Sequence, residues 1–184
     1  MNIVESKKFI ILEVRYMMRM NTQRLLIRTT KQEDLDAVAT MWGDVEGGKY
    51  MPDPNYKSGA EIAEILEDDP DCPVYYFVSF FTGFDEIIGT CSLGLKNADS
   101  QEYSIGYNVK KDYWGNGYAG EMVHALINFA RKLSIKSITA PIAKENKASI
   151  RVVEKCGFII IGESSFKKSG TDIVYPTFTY KLEL

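Results

Sequence analysis

The stretch that decides the fold begins at Glu102, ends at Leu133 and reads EYSIGYNVKKDYWGNGYAGEMVHALINFARKL. In residues 102–109, aromatic or β-branched residues alternate with small or polar ones, which predicts a strand. The glycine-bearing turn WGNG follows at residues 114–117, and apolar residues then recur at helical spacing up to Leu133. The stretch therefore predicts a strand, a glycine turn and an amphipathic helix.

The turn and the start of the helix together predict an anion-binding site. Glycine allows the backbone to approach a ligand closely. The first N–H groups of a helix lack intrahelical partners and lie at the positive end of the helix dipole, which suits a pyrophosphate. Glycines in a tight turn between a strand and a helix are equally common for purely structural reasons. This stretch alone leaves both interpretations open.

Residues 114–119, WGNGYA, resemble the acyl-CoA pyrophosphate loop of the GNAT N-acetyltransferase superfamily, whose core is Gln/Arg-x-x-Gly-x-Gly/Ala. Gly117 and Ala119 match the last two fixed positions, and Trp114 stands where the Gln or Arg would be. The sequence pattern Tyr-Trp-Gly-x-Gly-Tyr-Ala resembles that of the branch that contains the ribosomal-protein N-terminal (Rim-type) acetyltransferases. A dinucleotide-binding fold is disfavoured, because the strand lies mid-chain and no acidic residue stands at the ribose-binding distance.

A second motif lies downstream, where Asn146-x-x-Ser149 is followed by EKCGF at residues 154–158. It resembles the family segment Asn-x-x-Ser/Ala…Glu-Lys-x-Gly-Phe, in which the Asn side chain reaches the pantetheine arm. Taken alone, Asn146 would be a helix N-cap and Gly157 a left-handed C-terminal cap. Because the two motifs stand at the family's spacing, they form a specific pair.

The rest of the chain predicts a mixed α/β domain. Strand-like runs occupy residues 24–28, 74–81, 87–95, 102–109, 137–142, 158–161 and 175–184, and capping boxes at Thr30/Glu33 and Ser58/Glu61 predict two early helices. The resemblance implies an α/β (α+β) fold: a single GNAT-like domain with a mixed, mainly antiparallel sheet, helices on both faces, and fourth and fifth strands splayed around acyl-CoA. We divide the chain into an N-terminal extension, residues 1–20, and this domain, residues 21–184.

Composition narrows the function classes. Of 184 residues, 45% are hydrophobic and 26% charged, and the net charge of −3 argues against general nucleic-acid binding. The apolar run at residues 9–12 is too short for a signal peptide or a membrane span. Cys72, Cys91 and Cys156 lack metal-ligand spacing, and we expect reduced thiols, no metal and a cytoplasmic protein. His124, the only histidine, is expected on the surface, so a histidine-based nucleophilic mechanism is disfavoured.

The resemblance implies acetyl-CoA as the acyl donor. Backbone groups of the strand, the glycine loop and the second motif would hold it. The implied residues are Tyr107, Asn108, Val109, Trp114, Gly115, Asn116, Gly117, Tyr118, Ala119, Gly120, Asn146 and Ser149.

The resemblance also implies direct acyl transfer to an amine. The Val109 amide would stabilise the developing oxyanion, and Glu102 or Ser104 would hold a base or an ordered water, since the attacking amine must be neutral. Many family members protonate the departing thiolate with a Tyr in the last helix, but Val153 stands at that position here. Ser149 is the substitute that the Rim-type pattern indicates, and Tyr118 is a weaker one.

The sequence does not decide the identity of the acceptor. A protein N-terminus and a small amine are both compatible, and Tyr50, Met51 and Tyr56 would face the acceptor or simply anchor their loop. A catalytically silent acyl-CoA-binding domain and a nucleotide-binding module are the alternatives to an enzyme. The resemblance also allows a homodimer.

Overall fold

The computed structural model describes residues 18–53, 56–66 and 73–184. The strands of these parts are β1 (Arg19–Asn21), β2 (Leu25–Thr29), β3 (Val74–Phe81), β4 (Ile87–Asn97), β5 (Glu102–Val109), β6 (Ser137–Ala143), β7 (Ile159–Lys167) and β8 (Val174–Glu183). The α-helices are α1 (Leu35–Gly43), α2 (Gly59–Ile65), α3 (Tyr118–Lys132) and α4 (Lys147–Lys155), and short 3₁₀ turns lie at Gln32–Asp34 and Lys111–Tyr113.

The strands form one eight-stranded sheet in the order β1-β2-β3-β4-β5-β6-β8-β7. All neighbouring pairs are antiparallel except β5 and β6, which run parallel. This parallel pairing is short. It begins at Glu102↔Ser137 and ends at Ser104↔Thr139, so the two strands diverge beyond it. The expected splay between the fourth and fifth strands of the family fold is confirmed, with β1 added at the sheet edge.

Helices cover both faces of the sheet, as expected. Alternate β-strand residues build one core beneath α3 and α4, with fully buried Ile27, Leu93, Leu126 and Ile138 among its members. The opposite residues pack against α1 and α2 in a second core, which includes Val38, Ile62, Val78 and Phe80. The mixed α/β class and the mainly antiparallel sheet predicted above are therefore confirmed.

The start of α1 differs from the prediction. The Thr30/Glu33 capping box does not form; the carboxylate of Asp34 instead accepts the Lys31 N–H at 2.7 Å and a bidentate pair from Arg28 at 2.7 and 2.9 Å. The bidentate pair with the half-buried Arg28 directs the buried Asp34 carboxylate to this position and overrides the local capping pattern.

The start of α2 also differs. Ser58 is its N-cap as expected, but its side chain makes no capping bond. Asp36 of α1 accepts the Gly59 N–H at 2.9 Å in its place, so a tertiary contact caps the helix.

β1 reaches across the predicted domain boundary, because Arg19–Asn21 pairs with β2 and the boundary falls between residues 20 and 21. Residues 1–17 and Cys72 lie outside the described residues, and the division of the chain stays a prediction. Cys91 is buried and Cys156 half-buried, both as free thiols, and His124 is exposed as predicted. Within the described ranges, none of the helices is both long and apolar enough to cross a membrane.

Candidate active site

The divergence of β5 and β6 opens a gap in the sheet, and the strand register decides which backbone groups face it. Lys110 N–H donates to the Ile88 oxygen at 2.8 Å, so alternation along β5 directs the backbone of Asn108 towards β4. The same alternation directs the backbone of Tyr107 and Val109 towards the gap. The backbone of Asn108 was expected to bind the cofactor, but its N–H and C=O face β4 and belong to the sheet.

The glycine loop forms an open cradle at the end of this gap. Gly115 and Gly117 have φ of 78° and 82°, a conformation that other residues adopt only with strain, and Gly117 is the N-cap of α3. A Cβ added to Gly115 or Gly120 would meet no atom within 4 Å. The first intrahelical bond runs from Glu121 N–H to the Gly117 oxygen, so the preceding amides have no intrahelical acceptor. The cradle fits a pyrophosphate.

Two side chains of the loop brace it. Trp114 Nε1–H donates to the Val109 oxygen at 2.6 Å, which ties the loop to the end of β5. Asn116 Nδ2 donates to the carbonyl oxygens of Tyr113 and Trp114, each at 3.1 Å. The two side chains are therefore engaged within the loop. The backbone amides of the loop stay the groups that are expected to hold the cofactor.

Arg24, the residue before β2, holds the first turn of α3 in place. Its guanidinium donates to the Asn116 oxygen at 3.1 Å, pairs with Glu121 at 2.8 Å and lies 4.4 Å from the centre of the Tyr118 ring. The Tyr118 ring also meets the Phe81 ring edge to face, with centroids 5.1 Å apart. Tyr118 therefore packs against both residues, and it is not among the residues that line the cavity together with Ser149.

The start of α4 lies on the other border of the gap. Asn146 Oδ1 accepts the Ser149 N–H at 3.1 Å, so Asn146 is the N-cap, and both residues also line the cavity described below. Tyr107 O–H donates to the Ser149 carbonyl oxygen at 3.2 Å, and burial raises the pKa of Tyr107 to about 12. Val153 is fully buried in the core. No local sequence pattern indicates that the Tyr107 hydroxyl reaches α4.

The gap continues into a cavity of about 380 Å³ beneath the loop that joins α1 and α2. Its lining includes Trp42, Tyr50, Met51, Asp53, Tyr76 and Ser104. Asp53 is the one carboxylate among the described residues that line it, and none of these has a basic side chain. The predicted acceptor-facing residues Tyr50 and Met51 do lie here.

Tyr56 takes the second of the two roles left open for it, which is to anchor its loop. It is buried, its ring centre lies 5.9 Å from that of Trp42, and its hydroxyl donates to Asp53 at 3.1 Å. Tyr56 thus supports the cavity wall from behind.

The two proposed base positions separate. Ser104 lines the cavity, whereas Glu102 does not. The carboxylate of Glu102 lies 3.5 Å from the ammonium groups of Lys96 and Lys181. Glu102 is the first residue of β5, where β5 and β6 still pair.

A second groove, of about 860 Å³, lies on the α1 face of the sheet. Asn108 lines both spaces, and its amide group donates to the Gly47 oxygen at 3.2 Å across their border. Asp44, Asp85 and Asp112 are among the acidic residues of this groove.

Comparison with known proteins decides the family. Residues 24–159 match the model of the acetyltransferase (GNAT) domain. The chain belongs to the GNAT acetyltransferase family. As a GNAT N-acetyltransferase, it uses acetyl-CoA as acyl donor. No group of three or more His, Cys, Asp or Glu in the described parts of this GNAT enzyme has a geometry that could hold a metal ion.

Individual relatives agree with this assignment. The "uncharacterized N-acetyltransferase p20" of Bacillus licheniformis is 29% identical over 142 residues, which cover 74% of this chain and 80% of that protein. Spermidine N-acetyltransferase from Vibrio cholerae, solved with CoA and spermine, has a TM-score of 0.77 at 19% identity, covering 88% of this GNAT chain and 96% of the other. Ribosomal-protein-S5-alanine acetyltransferase from Vibrio fischeri has a TM-score of 0.71 at 18% identity, with 90% and 96% covered. At these identities, the two structures show a shared fold.

Proposed function

We propose that this GNAT enzyme transfers the acetyl group of acetyl-CoA directly to a primary amine, which is either a protein N-terminus or a small amine. One observation carries the proposal: the gap between β5 and β6 is bordered by the glycine cradle and the start of α4, and it continues into a cavity that contains a carboxylate. A donor and an acceptor can thus meet from opposite faces of the sheet.

The donor side would be held mainly by backbone groups. The amides of residues 115–120 would bind the pyrophosphate at the N-terminus of α3. The backbone of Tyr107, directed into the gap, would pair with the pantetheine arm, and Asn146 would reach it from α4. Acetyl-CoA supplies an activated acetyl thioester when bound.

Three groups would act on the reacting atoms. The Val109 N–H would hydrogen-bond the thioester oxygen as that oxygen gains charge. The Ser149 hydroxyl and the Tyr107 hydroxyl, whose O–H donates to the Ser149 carbonyl oxygen at 3.2 Å, would each hydrogen-bond the departing thiolate. A tyrosine hydroxyl is protonated at neutral pH, and burial raises the pKa of Tyr107 further, so this group would act as a hydrogen-bond donor.

The acceptor side would use charge and aromatic surface. An amine arrives as an ammonium, and Asp53, in a cavity without a basic side chain among its described lining residues, offers the complementary charge. The rings of Trp42, Tyr50 and Tyr76 offer faces on which a cation or its alkyl chain can pack. Ser104, which lines the cavity, would hold a water through which the ammonium proton passes to solvent before attack.

The test is acetyl-CoA-dependent release of CoA thiol across a panel of amines. The panel contains peptides with Ser, Ala or Met at the N-terminus, polyamines, amino sugars and aminoglycosides. Release with one class, abolished by Asp53→Asn but not by Asp172→Asn at an exposed control position, would support the proposal and name the acceptor. Tight acetyl-CoA binding without release for any amine would favour a non-catalytic acyl-CoA-binding role, and ADP binding without pantetheine dependence would favour a nucleotide module.

A further inference from the structure

Lys168, in the loop between β7 and β8, is the most deeply buried lysine among the described residues, with 7% of its surface exposed. Its ammonium donates to the Gly48 oxygen at 2.7 Å and to the Met51 oxygen at 3.3 Å. Both acceptors belong to the acceptor loop, which we define as residues 44–53. A side chain far along the sequence thus reaches into the loop that covers the cavity.

The contacts of Lys168 are part of a wider attachment. The next residue, Ser169, donates its N–H to the Pro52 oxygen at 2.8 Å. The rings of Tyr50 and Tyr175 meet edge to face, with centroids 5.4 Å apart. The segment near β8 therefore holds the acceptor loop from one side, while Asn108 of β5 holds it from the other.

Burial of a lysine ammonium without a salt bridge is costly, and such a residue is rarely found inside a protein without a specific reason. Burial lowers the pKa of Lys168, and the nearby Asp53 carboxylate opposes this effect. The two carbonyl oxygens provide the compensating hydrogen bonds. They come from loop backbone, so the side chain and the loop depend on each other for their conformation.

We propose that Lys168 is a positioning residue that fixes the acceptor loop and thereby places Tyr50, Met51 and Asp53 around the acceptor amine. This inference rests on the proposed function, since it assigns the acceptor to the same cavity. Lys168 does not line that cavity, so it acts through the loop carbonyls that it binds. The loop's shape, and with it acceptor selection, depends on a contact from the opposite end of the chain.

The first test is hydrogen–deuterium exchange of the full-length protein. Lys168→Met keeps the apolar stem and removes the donors, and Lys167→Met is its control, because Lys167 is exposed and pairs with Asp172. We expect amides of the acceptor loop to exchange about tenfold faster in Lys168→Met than in wild type and Lys167→Met. If Lys168→Met does not fold, Lys168→Gln, which has an uncharged amide NH2 group on a shorter stem, is measured in its place. Equal exchange in the two variants would overturn the proposal.

The second test separates positioning from general stability. We expect Lys168→Met to lower kcat/KM for the acceptor by about tenfold, while the Kd of acetyl-CoA changes by less than about twofold. Loop loosening with unchanged kcat/KM would contradict a positioning role. A parallel loss of acetyl-CoA affinity would indicate a structural role instead and would equally overturn it. If wild type acetylates no amine, the proposed function fails, and the exchange comparison alone decides whether Lys168 fixes the loop.

Discussion

The indole Nε1–H of Trp114 donates to the carbonyl oxygen of Val109 over 2.6 Å, and this bond joins the two parts of the donor site. Val109 ends β5, where its N–H faces the gap, and Trp114 begins the glycine loop. The bond fixes the distance between the proposed oxyanion contact and the phosphate cradle. Trp114 replaces the Gln or Arg that is usual at this position of the family's loop, and here it braces the loop against β5.

Trp114→Phe should slow acetyl transfer. An aromatic ring is kept, although a smaller one, but the N–H donor is lost, which leaves the Val109 carbonyl without this partner at a cost of about 1 kcal/mol or more. We expect kcat to fall by about fivefold or more, since the Val109 amide would be held less well. Steady-state kinetics measures this, and Tyr113→Phe is the control because it removes an exposed bond of 2.7 Å to Glu86. An equal effect of both variants would contradict the brace.

Gly117→Trp should abolish acetyl-CoA binding, because an indole would fill the cradle at the N-terminus of α3. The backbone strain of a side chain at positive φ is a separate effect. Gly83→Trp controls for it, since Gly83 has a φ of 89° in the β3–β4 turn and open space around its Cβ position. Isothermal titration with acetyl-CoA should show no binding for the first variant and unchanged Kd for the second. Unchanged affinity of Gly117→Trp would refute the cradle.

Ser149→Ala and Tyr107→Phe should each slow transfer and leave acetyl-CoA affinity nearly unchanged. Each removes one of the two hydroxyls proposed to hydrogen-bond the departing thiolate, and the remaining hydroxyl can partly replace it. We therefore expect losses of about tenfold in each single variant and a larger, non-additive loss in the double variant. Single-turnover rates and Kd values measure this. A double variant as active as wild type would mean that neither hydroxyl takes part.

Alkaline unfolding should report the buried Tyr107 hydroxyl. Its pKa is raised from 10.0 to about 12 by burial, so the folded protein keeps the proton over a pH range in which the unfolded chain loses it. This contribution to stability is complete below pH 10 and is lost as the pH rises towards 12. The free energy of unfolding should therefore fall more steeply with pH in wild type than in Tyr107→Phe. Parallel slopes would contradict burial of the hydroxyl.

Asp34→Ala should destabilise the fold, because it leaves the Arg28 guanidinium and the Lys31 N–H without their shared carboxylate. Asp34 is 4% exposed and Arg28 is half-buried, and the loss of charge-assisted hydrogen bonds of this kind costs about 2 kcal/mol. Denaturant unfolding measures the change. The control is Asp172→Ala, whose side chain is fully exposed beside Lys167 and should leave stability unchanged. A stable Asp34→Ala variant would mean that the pair contributes little.

Much of the fold could be predicted from local patterns. β3 spans the predicted residues 74–81, and α4 ends before Gly157, whose φ of 89° matches the left-handed cap. These features depend on alternation, helical spacing and glycine conformations, which neighbouring residues specify. β7 extends to Lys167, beyond the predicted residue 161, because pairing with β8 continues through a polar stretch that local patterns assign to a loop.

The acceptor side could be predicted only in part, since long-range contacts build it. Lys168 looks like a solvated loop lysine beside Lys167, and nothing local indicates that it binds carbonyls of residues 48 and 51. From the sequence, Tyr56 is as suitable as Tyr50 for contacting the acceptor, but in the fold it lies behind the cavity wall. Glu102 looks like a free carboxylate until β8 brings Lys181 beside it.

The central claim is transfer of an acetyl group from acetyl-CoA to an amine in the gap between β5 and β6. The most direct measurement incubates the enzyme with isotope-labelled acetyl-CoA and the amine panel and locates the label by mass spectrometry. The account predicts label on the nitrogen of one amine class with wild type and with Gly83→Trp, and none with Gly117→Trp. Label on no amine, although wild type binds acetyl-CoA, or equal labelling by Gly117→Trp, would contradict it.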